Sequence, residues 1–205
     1  HCIKKYDANG YEYGWLGMGS VTSGWHRYDN TEDILFGTGE GQFMSPSVID
    51  FDKDNNLFVS DYKKIMKFDR NGEFVKQLNY PNFTDDAFIY LRIDCDDNLI
   101  VKSEVGGRIV KYDNDLDLVS EWSPYIQFYG KIAITTDALN YVYISYNYLI
   151  RKYYSNGIFI TEFGSSDPEN VNFLNGLTYD IVVDKNENIY VCDYIVNQVK
   201  IFRRF

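Results

Sequence analysis

Four short apolar runs separated by turn clusters, within residues 37–78, constrain the fold of this chain more than any other feature. SVIDF, LFVSD, KIMKF and EFVKQL are rich in β-branched and aromatic residues, and DKDNN, YK and DRNG stand between them. Runs of this kind bounded by Asp, Asn and Gly predict the strands of an antiparallel meander. The turn residues have a physical reason. Asn and Gly tolerate positive φ, and Asp and Asn side chains bond the backbone of their own turn. A single four-stranded sheet cannot bury both its faces, so the unit implies neighbours of its own kind.

Those neighbours are in the sequence. With Asp52 as anchor, the same register recurs at Asp94, Thr136 and Asp184, each followed four residues on by Asn56, Asn98, Asn140 and Asn188. Each Asn opens an apolar strand (LFVSD, LIVKS, YVYIS, IYVCD), and Phe43, Phe83, Phe128 and Phe173 precede the first strands. The third strand recurs as IMKFD, IVKYD, IRKYY and VKIFR, with two more copies upstream, IKKYD at 3–7 and WHRYD at 25–29. Six third strands therefore stand against four complete sets of first and second strands. A period of about 40–45 residues with four strands is the mark of a β-propeller blade. The expectation is an all-β, single-domain β-propeller over 1–205, with partial blades in 1–36 and full repeats at 37–78, 79–123, 124–163 and 164–205. In its complete form it has six four-stranded antiparallel blades. The Gly/Ser-rich stretch 17–24 stands where a first and second strand belong, and the chain opens on His1. A processed or truncated piece is expected, with the remaining strands supplied by more chain or by a partner.

Composition narrows function by exclusion. Thirty acidic against 20 basic residues give a formal charge of −10, opposite to the basic field that phosphate binding needs. Nucleic acid is not an expected partner. No apolar run approaches the length of a membrane span. Three cysteines, Cys2, Cys95 and Cys192, form neither a disulfide framework nor a CxxC site, and one bridge or three thiols both remain open. One sequon, Asn82-Phe83-Thr84, adds little; extracellular or cell-surface placement is favoured only slightly over others.

The motif GTGEGQFMSPSVIDFDKDNNLFVSD…IMKFDRNGEF, echoed in TYDIVVDKNENIYVCDYIVNQVKIF, resembles the NHL-repeat β-propellers. The match is strongest over 37–78 and 167–205 and weakest over 124–163, where Thr136 replaces the turn Asp. The resemblance implies the fold and says little about activity, because such propellers include binding platforms, sensor ectodomains and metal-dependent enzymes.

Candidate chemistry is sparse. Asp50, Asp52 and Asp54 form D-x-D-x-D, a weak calcium candidate; the recurrence of the same turn favours local backbone bonding instead. Asp61 and Asp193 end second strands, with Ser103 and Ser145 in the equivalent places, which suits hydrogen bonding to the following loop better than catalysis. Two histidines cannot build a zinc site. Lys5, Arg27, Lys67, Lys111 and Lys152 recur in the third strands and are expected to pack their stems and snorkel their charges. What remains is the loop face, where Tyr62, Glu104, Tyr146, Asn147, Tyr148 and Tyr194 join Asp61 and Asp193 as candidate contacts. The expected function is a non-catalytic scaffold that binds protein or glycan. The rivals are a calcium-dependent lactonase-like enzyme, in which calcium would be the cofactor, and a subunit of a larger or self-associating assembly.

Overall fold

The computed structural model describes residues 2–16, 24–25, 37–79, 89–103, 107–124, 132–146, 148–165, 178–193 and 197–203. The chain divides into two compact units, His1–Ile89 and Tyr90–Phe205. In the first, β1 (Ile3–Tyr6) and β2 (Glu12–Leu16) form a hairpin, and β3 (Pro46–Phe51), β4 (Leu57–Asp61), β5 (Lys64–Phe68) and β6 (Phe74–Asn79) form a four-stranded meander. In the second, β7 (Ile89–Ile93, which opens at the boundary), β8 (Leu99–Ser103), β9 (Ile109–Tyr112) and β10 (Leu118–Trp122) make one meander. A second meander is β11 (Ile132–Thr136), β12 (Val142–Tyr146), β13 (Leu149–Tyr153) and β14 (Phe159–Phe163). The third sheet has three strands, β15 (Thr178–Val183), β16 (Ile189–Asp193) and β17 (Gln198–Phe202). The fold is an all-β propeller of antiparallel blades. The hairpin β1–β2 consists of the third and fourth strands of a blade, as IKKYD predicts; the WHRYD copy and the sequon lie outside the described residues, Trp25 excepted.

Blade-on-blade packing shows in the second strands β4, β8 and β12, which are buried on both faces. All five residues of β12 are buried. Val142, Ile144 and Tyr146 point one way, into a cluster with Ile100 and Ile109 of the preceding sheet. Tyr143 points the other way and packs with Ile181, Ile189, Val191 and Phe202 of the following sheet. The period of two along a strand sends successive side chains to opposite faces. In the first unit Leu57, Val59, Met66 and Phe68 meet Leu16 and Ile3 of the hairpin in the same manner. Each fully buried aliphatic or aromatic side chain contributes about 1.5–3 kcal/mol.

Aspartate turns punctuate the blades at two places. Between first and second strands, Asp52 Oδ1 accepts the Asp54 and Asn56 amides at 3.0 and 2.8 Å. Asp94 accepts Asp96 and Asn98, and Asp184 accepts Asn186 and Asn188. In the third blade the acceptor is Asp137, bonded by Leu139 and Tyr141. The positive-φ residues Asn55, Asp97, Asn140 and Glu187 are equivalent. The Thr136 anchor is thus corrected by one residue: Asn140 matches Asn55 and not Asn56. Tyr146, rather than Ser145, then stands where Asp61 and Asp193 do, and Ser145 matches Ser60. Between third and fourth strands, Asp7, Asp69 and Asp113 act likewise. Gly157 (φ 86°) closes that turn in the third blade, and a Cβ there would lie 2.3 Å from the Trp122 indole. Only glycine satisfies both the left-handed backbone and the close approach.

The recurrent third-strand lysines do not snorkel to water. Lys67 and Lys111 are buried. Lys111 Nζ lies 2.8 Å from Asp94 Oδ2, and Lys152 Nζ lies 3.8 Å from Asp137 Oδ2. The cation therefore closes the turn of its own blade, because a carboxylate held in a buried turn needs a counter-charge. In the last sheet Ile201 occupies this position, and the Tyr190 hydroxyl donates to Asp184 Oδ2 instead, at 3.1 Å.

Candidate functional site

The connections from second to third strands lie at the opposite end of each sheet from the aspartate turns. In the first unit this end is built around Asp61 and Lys64. Asp61 is fully buried and accepts the amides of Met44 (2.9 and 3.0 Å) and Ser45. It thus holds the loop that precedes the first strand, not the loop that follows its own, which corrects the expectation from the sequence. Lys64 Nζ donates to the carbonyls of Gln42 (2.7 Å), Gly39 (3.1 Å) and Thr38 (3.4 Å) and lies 3.7 Å from Asp61 Oδ2. Burial pushes the Lys64 pKa down, and the Asp61 carboxylate works against that shift. The loop Gly37-Thr-Gly-Glu-Gly-Gln42 is wound around this ammonium. A Cβ at Gly37 would meet Gln42 Oε1 at 2.0 Å, so the Gln42 side chain lies directly over this glycine. Neither Lys64 nor Gln42 stood out in the sequence; their signal is the pairing of a Gly-x-Gly loop with a lysine just after the second strand.

This scaffold presents Tyr62. Its φ is 49°, it is 39% exposed, and Lys63 Nζ lies 5.4 Å from its ring centre. A shallow cavity of about 180 Å³ opens beside it, bounded by Thr38, Met44, Asp61, Lys64 and Asn79. In the second unit, Tyr148 is exposed at the equivalent hairpin, and its carbonyl lies 2.2 Å from where a Cβ of Gly164 would be. Tyr146 is buried in the core, with Arg151 stacked at 5.2 Å, and burial raises its pKa. Asp193 is buried and paired with Lys200 at 3.2 Å. Of the predicted loop-face residues, Tyr62 and Tyr148 are offered to solvent, whereas Asp61, Asp193 and Tyr146 support from within. Glu104, Asn147 and Tyr194 lie outside the described residues.

At the turn end, Asp50, Asp52 and Asp54 do not converge. Asp52 spends Oδ1 on two amides and Oδ2 on Asn56 Nδ2 (2.7 Å), Asp50 accepts the Phe51 amide, and Asp54 is exposed. Among the described residues no group of three His, Cys, Asp or Glu side chains can hold a metal ion. Arg92 on β7 reaches Asp180 on β15 at 3.0 Å, which places a cation beside an inner-strand carboxylate. Cys2, Cys95 and Cys192 are all free thiols.

A cleft missed in the sequence lies at the turn end between β11–β14 and β15–β17. It holds about 440 Å³ and is lined by Leu139, Tyr141, Lys152, Phe163, Glu187 and Phe202, among others. Lys152 Nζ lies 3.9 Å from the Tyr141 ring centre and 5.0 Å from that of Tyr143. The Tyr143 hydroxyl donates to Asp137 Oδ2 at 2.9 Å. Burial and that carboxylate push its pKa far above the usual phenol value, so it stays a donor.

Solved structures similar to this chain are β-propellers. Virginiamycin B lyase from Staphylococcus aureus matches with a TM-score of 0.64 at 13% identity, over 98% of this chain and 62% of that one. The WD40 propeller domain of Doa1 matches at 0.56 and 15%, over 82% and 53%. BamB from Moraxella catarrhalis matches at 0.56 and 15%, over 95% and 50%. The chain thus spans roughly half to three-fifths of these structures. No protein-family model matches it, and no curated protein matches it by sequence. The class is a β-propeller, and at these identities the likeness concerns the fold alone. Among the described residues no helix is long and apolar enough to cross a membrane.

Proposed function

We propose that this chain is an NHL-type propeller module that binds a protein or a glycan non-catalytically through its loop face. Tyr62 and Tyr148 are its aromatic anchors. The observation that carries this reading is the rigidity behind Tyr62: a left-handed backbone on a hairpin whose two flanks, Asp61 and Lys64, are buried and fully engaged. A pre-organised aromatic ring loses little entropy on binding, which suits an anchor residue. Of the three neighbouring structures named above, one is called a lyase and the other two carry no activity in their names, and fold likeness does not choose between binding and catalysis. The Arg92–Asp180 pair weighs against calcium at the inner strands, since the arginine already neutralises that carboxylate.

The test is photo-crosslinking from a benzoyl-phenylalanine placed at position 62, 148 or 54 in the source cell, together with a glycan array probed with wild type and Y62A/Y148A. Adducts or glycan signals that depend on positions 62 and 148, and not on 54, support the reading. Equal labelling from position 54, or a glycan signal untouched by the double variant at unchanged thermal stability, overturns it. A calcium-dependent rise in melting temperature would favour the enzyme alternative.

A further inference from the structure

Three Asn-Gly pairs lie among the described residues, Asn9-Gly10, Asn71-Gly72 and Asn156-Gly157, each in the turn from a third to a fourth strand. In all three the asparagine is exposed and the glycine has a positive φ. The glycine amide donates to the carbonyl three residues back, at 3.0, 2.9 and 2.9 Å. Asn-Gly is the dipeptide in which a backbone nitrogen most readily attacks the preceding side-chain amide, because glycine has no Cβ to block the approach. By local sequence the three pairs are equivalent.

The structure makes them different. In two of the turns an aspartate opens the turn, and its Oδ1 takes the amides of both residues that flank the glycine. Asn9 and Tyr11 donate to Asp7, each at 2.9 Å, and Asn71 and Glu73 donate to Asp69, each at 2.8 Å. Asn71 Nδ2 also donates to Asp69 Oδ2, at 3.2 Å. The turn at Asp113, which has no Asn-Gly, is held in the same way. The third blade has Tyr154 where the others have aspartate. There the Ile158 amide, the counterpart of those of Tyr11 and Glu73, donates to Asn156 Oδ1 instead, at 3.2 Å.

This exchange of partners bears on one reaction. Attack of the deprotonated Gly157 nitrogen on Asn156 Cγ moves negative charge onto Oδ1. A donor already aimed at that oxygen stabilises the charge as it develops. In the other two turns a carboxylate stands between the flanking amides, beside the nitrogen that must become anionic. A like charge nearby disfavours that anion.

We infer that Asn156-Gly157 is a self-modifying site, at which the chain deamidates itself ahead of its other two turns. The bond from Gly157 N to Asn156 Cγ forms and the bond from Cγ to Nδ2 breaks. The departing nitrogen takes up the proton that Gly157 lost and leaves as ammonia. The five-membered succinimide then adds water at either carbonyl and opens to aspartate or isoaspartate, so water is the only co-reactant. Isoaspartate routes the chain through the former side chain and adds one backbone carbon beside Gly157. That glycine already lies against the Trp122 indole, which a Cβ would approach to 2.3 Å, so the product opens the contact between β10 and the β13–β14 turn. The turn is at the opposite end of its sheet from Tyr148 and does not depend on the loop-face reading.

The test is incubation of the protein at mildly alkaline pH and body temperature, with conversion at each asparagine followed by peptide mapping and mass spectrometry. In the folded protein Asn156 is expected to convert about tenfold faster than Asn71 or Asn9, the effect of one hydrogen bond on the developing charge. In urea the three are expected to convert at similar rates, since only the fold distinguishes them. Tyr154→Asp, at an exposed position, restores the carboxylate and is expected to slow Asn156 to the rate of Asn71. The isoaspartyl fraction, separated by anion exchange, is expected to melt below Asn156→Asp, which carries the same charge on a normal backbone. Conversion at Asn156 no faster than at Asn71 or Asn9 in the folded protein, or the same ranking in urea, overturns the inference whatever the variant does. An Asn156 rate unmoved in folded Tyr154→Asp overturns the cause assigned to it, and equal melting overturns the consequence for Trp122.

Discussion

The sheets β11–β14 and β15–β17 share turns, register and length of strand, yet they treat charge in opposite ways. In β11–β14 both faces are covered within the unit, and Lys152 sits inside with Asp137 and two tyrosine rings for company. In β15–β17 one face is open, the lysine position is Ile201, and Asp184 is held by amides, Asn188 and the Tyr190 hydroxyl. A buried blade can carry a lysine because its turn aspartate supplies the counter-charge. A sheet that shows the same position to water carries an isoleucine, the reverse of the usual placement. The contrast teaches that the third-strand lysine belongs to the turn rather than to the surface.

That comparison can be broken most sharply at Lys111, the closest of the lysine–aspartate pairs. Lys111→Met leaves Asp94 buried without its cation and is expected to cost about 3–4 kcal/mol in urea denaturation; a loss under 1 kcal/mol would mean the pair is dispensable. Ile144→Ala, at a position sealed on both sides, should cost about 2–4 kcal/mol. Ile201→Ala on the open face should stay within about 0.5 kcal/mol. Equal losses at the two sites would show that Ile201 is covered in solution. Gly157→Ala forces a Cβ into the Trp122 ring at a left-handed φ, with an expected loss of about 1–3 kcal/mol read as a lowered melting temperature. Ile201→Lys restores the internal pattern beside Asp184, and a small gain of less than about 1 kcal/mol is expected.

The smallest effect is one of pH. Side-chain and backbone hydrogen bonds from Asn188 and Asn186 hold the half-buried Asp184 carboxyl below its ordinary value. A depressed carboxyl stabilises the fold above its unfolded pKa and loses that contribution as pH falls through the folded value. Stability should therefore decline on acidification below the ordinary aspartate range. Asp184→Asn should flatten that decline slightly; an unchanged acid profile would remove Asp184 from the account.

Much of the fold was legible because its punctuation is local. Asp-x-Asn turns act on amides two and four residues away, and that distance is visible in a sequence. The one slip in register, Thr136 for Asp137, arose because adjacent residues both fitted a spacing of about forty, and only the observed hydrogen bonds of Leu139 and Tyr141 separate them. The site was half legible. Tyr62 and Tyr148 were read as exposed and are, since hairpin tips face water. Asp61 and Tyr146 were read with them and are buried, because burial at a strand end depends on which neighbouring loop returns over it. The wrapping of Gly37 to Gln42 around Lys64 joins residues more than twenty apart and had no local signal.

From the sequence alone come the strands, their turns and the repeat that makes them blades, because backbone conformation and side-chain alternation are set by near neighbours. Tertiary structure alone decided which lysines are buried and which tyrosines are exposed. Those are properties of what lies across a blade interface, and a residue's own neighbours in the chain do not specify what packs against it.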